Sequence, residues 1–136
     1  MDKSNKKMKW TVKAKYILIT GATSGIGLAA AKELAAKGAN LGIIARNQEK
    51  AKKVANEIRS MVGENITIDI FIADMASQKS IRNVAEDILN RCPKIDILIN
   101  NAGALYEKHE LTEEGHEMTW AVNYLAPFLL NFLVVR

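Results

Sequence analysis

The chain has a single cysteine, Cys92, and two histidines, His109 and His116, far from it in sequence. One thiol closes no internal disulfide, and no Cys/His set has zinc-ligand spacing, so no structural metal is expected. Such sparing cysteine use suits a reducing, cytoplasmic compartment. Residues 1–15 lack the apolar core of a signal peptide. Residues 120–135 are apolar, but Asn123, Pro127 and Asn131 interrupt them, and they fall short of the ~20 residues a membrane helix needs. They read as a buried helix. Repeats and low-complexity tracts are also missing. So is a basic face: of the net charge of +4, residues 1–15 contribute +5 through six lysines and one acid, leaving about −1 for everything after them. Nucleic-acid binding is not expected from a body that is nearly neutral. The basic start, residues 1–14, reads as a solvated, disordered tail.

What remains is one domain's worth of material, 136 residues with 49% hydrophobic and 25% charged, enough for an ordinary core. Short apolar runs alternate with helical patterns. Residues 16–19, 41–45, 66–73 and 95–99 are strand candidates. Residues 26–37 form an alanine-rich helix stopped by Gly38. Asn47 caps a second helix, with Ala51, Val54, Ala55, Ile58 and Met61 on one face and Gly63 at its end. Ser77 caps a third, with Ile81, Val84, Ala85, Ile88 and Leu89 buried and Cys92-Pro93 terminating it. A last helix is expected from about Glu113 onward, with Trp120 in its packing and Trp10 packed likewise. Four strands alternating with helices predict an α/β fold, a parallel sheet with helices on both faces. The strands' near-continuous apolar character agrees.

In such sheets ligands bind beyond the carboxyl ends of the strands, and each run here ends in a suggestive group. Thr20-Gly21-Ala22-Thr23-Ser24-Gly25-Ile26-Gly27 is a glycine-rich turn opening a helix, which suits a pyrophosphate. Arg46-Asn47 stands about twenty residues on. Asp or Glu there accepts from the ribose 2′-hydroxyl of NAD, whereas an arginine suits the 2′-phosphate of NADP. Asp74-Met75 offers a carboxylate for an adenine amino group and an apolar partner for its ring; Asp74 equally well closes a turn. Asn100-Asn101-Ala102-Gly103 combines amides that tie loops with small residues that let a ligand approach. Asn123 reads as a polar group on a buried apolar face. Pro127, four residues later, deprives its carbonyl of the usual helical donor, so the helix should bend there. His109 and His116, among glutamates, read as solvated.

Together, Thr20-Gly21-x-x-x-Gly25-Ile26-Gly27, Asp74, Asn100-Asn101-Ala102-Gly103 and Val122-Asn123 resemble the short-chain dehydrogenase/reductase family from about residue 15 to the end. The stretch from Leu111-Thr112-x-x-Gly115-His116-Glu117 to Val122-Asn123-Tyr124-Leu125 resembles its retinol-dehydrogenase-like branch, which hints at a lipophilic substrate. The resemblance implies the N-terminal part of a Rossmann doubly wound sheet, and hydride transfer between nicotinamide and a small-molecule carbonyl or alcohol. NADP(H) is the preferred cofactor and NAD(H) an open second. It implies that Gly21, Ser24, Gly25, Ile26 and Gly27 line the pyrophosphate. Arg46 meets the 2′-phosphate, Asp74 with Met75 the adenine, and Asn101, Ala102 and Gly103 the cleft. Asn123 matches the catalytic asparagine whose carbonyl holds a relay water. Full-length members commonly form homo-oligomers.

One part of the family pattern is missing. Its general acid is the tyrosine of Tyr-x-x-x-Lys, preceded by a serine. Here Tyr16, Tyr106 and Tyr124 are followed four residues later by Thr20, Glu110 and Phe128. No lysine is placed to lower a phenol's pKa. The chain is therefore expected to be a fragment, the cofactor-binding part of an oxidoreductase, silent in turnover, with its fourth strand an uncovered edge beside an apolar helix. The alternatives are a binding module that holds NADP(H) without doing chemistry and an inert gene fragment.

Overall fold

A computed structural model describes residues 9–92 and 94–135. Its elements in chain order are β1 (Tyr16–Thr20), α1 (Gly25–Ala36), β2 (Asn40–Ala45), α2 (Gln48–Val62), β3 (Ile68–Ile72), α3 (Gln78–Arg91), β4 (Ile97–Ile99), a short α4 (Met118–Trp120), a single π-helical turn (Ala121–Leu125) and α5 (Ala126–Val134). The four strands are parallel, in the order β3-β2-β1-β4. The first crossover runs β1 to β2 on one side, and the third returns from β3 past both to β4. The resulting reversal opens a crevice above the carboxyl ends of β1 and β4.

Strand residues alternate between two apolar layers. Ile17, Ile19, Leu41 and Ile43 face α1 and α2, where they meet Ala31, Ala35, Val54 and Ile58. Leu18, Ile44 and Phe71 face α3 and α5, where they meet Ile81, Val84, Ile88, Ala126 and Leu130. This is the doubly wound arrangement the alternating pattern predicts. Ordered packing reaches back to residue 12: Val12 contacts the first layer and the Ala14 N–H donates to Gly38 O at 2.8 Å. Residues 1–8 of the lysine-rich start and Pro93 lie outside the described residues.

Helix ends follow local chemistry. The Asn47 side chain accepts from Lys50 N and the Ser77 side chain from Ser80 N, satisfying first-turn donors. Gly38 and Gly63 take φ of 84° and 82°, the left-handed conformation that closes a helix at least cost. The last helix differs from expectation. It starts at Met118, because residues 111–117 fold into a small turn. There Thr112 N donates to His116 O and Leu111 bridges Glu117. The Glu117 carboxylate then caps α4, accepting from Thr119 N and Trp120 N at 2.9 and 2.8 Å. These donors hold its carboxyl below the usual carboxylate range. The irregularity anticipated around Asn123 is the π turn, where Ala126 N donates to Ala121 O.

Three expectations about burial are corrected. Asn123 is exposed rather than buried. Trp10 is 71% exposed and Trp120 50%, so neither is a core residue; Trp120 stacks on Tyr124 at 4.2 Å between ring centroids. Periodicity marks one face of a helix as apolar. It does not reveal that Trp120, Tyr124, Phe128 and Phe132 lie on the side away from α3. Strand β4 is at the sheet's edge, its three residues only half-buried. No helix among the described residues is long and apolar enough to cross a membrane.

At the amino ends of the strands, Tyr16 reaches across β2 and donates to Asp69 Oδ2 at 2.7 Å. Gly42 permits this, since a Cβ there would lie 2.8 Å from the phenol oxygen. Burial, then hydrogen bonds with Cys92 and Asp69, push the phenol's pKa upward, and burial likewise raises the Cys92 thiol. Neither group is poised for proton transfer or nucleophilic attack.

Candidate functional site

Above the carboxyl ends of the strands lies a cleft of about 230 Å³. Six of the residues singled out in the sequence line it together: Gly21, Arg46, Asp74, Met75, Ala102 and Gly103. They come from the ends of all four strands. Register explains the convergence, because Thr20 pairs with Ile44 and Ala45 with Ile72, so the loops after β1, β2 and β3 begin at nearly the same height.

One wall is the β1–α1 turn. Ser24 occupies the N-cap of α1 with extended backbone, and its side chain makes no capping hydrogen bond. The Leu28 N–H donates to Ser24 O at 3.2 Å. The N–H groups of Gly25, Ile26 and Gly27 precede it and have no helical acceptor. They point out of the positive end of the helix dipole, an arrangement suited to a phosphate. Gly25 has φ of 55° and a Cβ there would meet nothing within 4 Å, while Ile26 is 84% exposed. Gly27 is glycine for a different reason: a Cβ would overlap Asn101 Nδ2 and Gly21 O.

The floor is the turn after β4. Thr20 is the one buried polar residue among those described. Its Oγ1 accepts from Asn101 N at 3.0 Å and Ala102 N at 2.9 Å. Asn101 Nδ2 donates to Gly21 O at 3.0 Å. Asn101, expected to line the cleft, thus lies beneath it and ties the two loops together. Gly21 completes the joint, since a Cβ would come within 2.9 Å of Ala102 Cα. Asn123 stands behind the floor. Its Oδ1 accepts from Ala104 N at 3.0 Å, and its Nδ2 donates to Ala104 O and to Thr119 O. A Cβ on Gly103 would come within 2.8 Å of that Oδ1.

At the far wall, Arg46 is exposed at the cleft's rim. Asp74 closes a turn, Oδ1 accepting from Ala76 N at 2.9 Å. Its second carboxylate oxygen has no partner among the hydrogen bonds of the described residues, so closing the turn leaves that oxygen free. Thr23, Tyr106 and Val122 line the cleft as well. The sequence names Thr23 only as part of the glycine-rich turn, Val122 only beside Asn123, and Tyr106 only as a tyrosine with no lysine four residues on. Among the described residues no three His, Cys, Asp or Glu side chains could jointly hold a metal.

A family model described as short chain dehydrogenase matches residues 15–136, and the chain belongs to that family. It is 41% identical over 129 residues to human retinol dehydrogenase 13, an alignment covering 93% of this chain and 38% of the relative. Among solved structures, L-sorbose reductase from Gluconobacter frateurii, complexed with NADPH and L-sorbose, superposes with a TM-score of 0.77 at 28% identity. That match covers 94% of this chain and 49% of the other. A short-chain dehydrogenase from Sphingobium yanoikuyae in complex with NADPH gives 0.74 at 31% identity, over 88% and 46%. The chain therefore spans less than half the length of these relatives.

Proposed function

We propose that this chain is the NADP(H)-binding portion of a short-chain oxidoreductase acting on an alcohol or carbonyl, and that it binds cofactor without turnover by itself. The observation that carries the reading is one cleft lined by Gly21 and Thr23 of the turn that leads into α1, by Arg46, Asp74 and Met75, and by Ala102 and Gly103. Ser24, Gly25, Ile26 and Gly27 follow that turn without lining the cleft, the first N–H groups of α1 having no helical acceptor. The residues fit a dinucleotide. Bare amides at a helix N-terminus suit its pyrophosphate, and a planar cation suits a 2′-phosphate. An acceptor beside an apolar side chain suits its adenine. When bound, the nicotinamide supplies or accepts the hydride.

The chain's own part is to hold and orient. Gly21 and Gly27 keep the wall and floor in contact, Asn101 fixes their spacing, and Asn123 sets the floor's far end through Ala104. Pro127, four residues on, has no N–H to return to the Asn123 carbonyl, so that carbonyl lacks its α-helical donor, which favours it as the holder of a water in a proton relay. The 136 residues contain no Tyr-x-x-x-Lys, which supports the expectation of binding without chemistry. Kinship with retinol dehydrogenase 13 favours a lipophilic substrate for the whole enzyme.

Titration with NADPH and NADH, followed by nicotinamide fluorescence, tests the reading. NADPH should bind at least about tenfold more tightly, the equivalent of one charge-assisted hydrogen bond. Arg46→Asp should abolish or invert that ratio. Equal affinities, unaltered by the substitution, would refute the assignment of Arg46.

A further inference from the structure

The π turn between α4 and α5 has a consequence for register. Asn123 and Asn131 are eight residues apart. In a regular α-helix that spacing leaves two side chains about 80° apart around the axis. A π turn absorbs one extra residue. Asn123 stands in the middle of that turn, so part of the extra residue falls between the two amides and brings them closer to one line than in a regular helix. Both then reach the same loop. Asn123 holds Ala104 through its backbone N–H and C=O, and Asn131 Oδ1 accepts from Asn100 Nδ2 at 2.9 Å. Asn131 is the only polar residue in α5, whose sequence is otherwise Ala, Pro, Phe, Leu and Val.

We infer that Asn131 is a positioning residue for the cleft, and that the π turn serves to align it with Asn123 on the turn that forms the cleft floor. Residues 100–104 are gripped at one end by Asn131 and at the other by Asn123. The middle is held by Thr20 Oγ1 through the Asn101 and Ala102 N–H groups. Removing the Asn131 grip frees the end of β4, which is already the edge strand with a neighbour on one side only. The floor then samples positions in which Ala102 and Gly103 no longer meet a ligand resting on Gly21. Asn100 and Asn131 are both exposed, so the loss is several-fold in affinity rather than complete.

The inference rests on the cofactor reading above, and two readouts separate their failures. The first is the NADPH dissociation constant of Asn131→Leu, Asn131→Asp, Asn100→Leu and the Asn100→Leu/Asn131→Leu double variant. The second is hydrogen exchange at the Asn101 and Ala102 amides without ligand. Asn131→Asp retains the accepting oxygen in the same shape. The inference expects Asn131→Leu to weaken NADPH about three- to tenfold and Asn131→Asp less than twofold, with the double variant no worse than either single one. It also expects several-fold faster exchange of those two amides in Asn131→Leu, with the α1 amides unchanged. If the parent binds NADPH and Asn131→Leu binds it equally well, the inference is overturned. It is equally overturned if Asn131→Leu and Asn131→Asp weaken binding alike. If the parent binds no NADPH, the cofactor reading fails. The exchange measurement then decides the positioning role: faster exchange in Asn131→Leu supports it and unchanged exchange overturns it.

Discussion

Replacing Thr20 by valine tests the joint between the cleft's wall and floor. Valine has nearly the shape of threonine, so packing in this 3% exposed position is conserved. What disappears is one oxygen that accepts from two backbone N–H groups, at 3.0 and 2.9 Å. A fully buried N–H left without a partner costs about 1–3 kcal/mol. Asn101 and Ala102 are only partly buried, and water can reach each in part, so the pair should cost about 2 kcal/mol in all. Thr20→Ser is the control. It keeps the acceptor and removes one buried methyl, a loss of about 1 kcal/mol. Urea denaturation of the three proteins gives the difference directly, provided the slopes agree. The valine variant should be the less stable of the two, and should also bind NADPH more weakly because its floor is loose. A valine variant as stable as the parent, or more stable than the serine variant, would refute the claim that this hydroxyl holds the turn.

Three other outcomes follow from the same geometry. Gly27→Ala drives a methyl into Asn101 Nδ2 and Gly21 O; it should cost about 2–3 kcal/mol in a denaturant melt and abolish measurable NADPH binding. Tyr16→Phe removes the bond to Asp69 far from the cleft, and should lower stability by about 1 kcal/mol while leaving the NADPH dissociation constant unchanged. Asp96 accepts from Tyr16 N, then from Lys94, and its carboxyl sits below the usual value. A group whose folded pKa is depressed stabilises above its unfolded pKa and ceases to as pH falls through the folded one. Stability should therefore be level above about pH 5 and decline below it, and Asp96→Asn should flatten that decline in melts recorded from pH 6 to pH 3.

Where sequence and structure agree, the signal was local or periodic. Asn47 and Ser77 cap helices because a short polar side chain before an apolar period has few other uses. The parallel pairing follows from alternation with helices, and the cleft from where such strands end. The features that escaped depend on contacts distant in sequence. Thr20 looks like any residue at a strand's end until the turn eighty residues later lies against it. Gly42 looks like a weak point in a strand until Tyr16 crosses it. Asp74 left two roles open because a carboxylate has two oxygens, and the structure uses one for a turn. The start of the last helix was misplaced at Glu113 because Glu113 and Glu114 are good helix formers. The competing turn at Gly115, with φ of 84°, and the Glu117 cap outweigh that propensity. Glu114 instead reaches the start of α3, accepting from Gln78 N at 2.8 Å. Burial opposes the shift, but the N–H groups it accepts from still hold its carboxyl below the usual value.

The most direct measurement is a two-dimensional proton–nitrogen spectrum of the chain, titrated with NADPH and with each backbone amide assigned. Phosphates seated on the first helix should move the signals of Gly25, Ile26 and Gly27 most, with Gly21, Ala102 and Gly103 following at the same dissociation constant. Perturbations confined to other faces, or no response at those three amides while cofactor binds, would contradict the account.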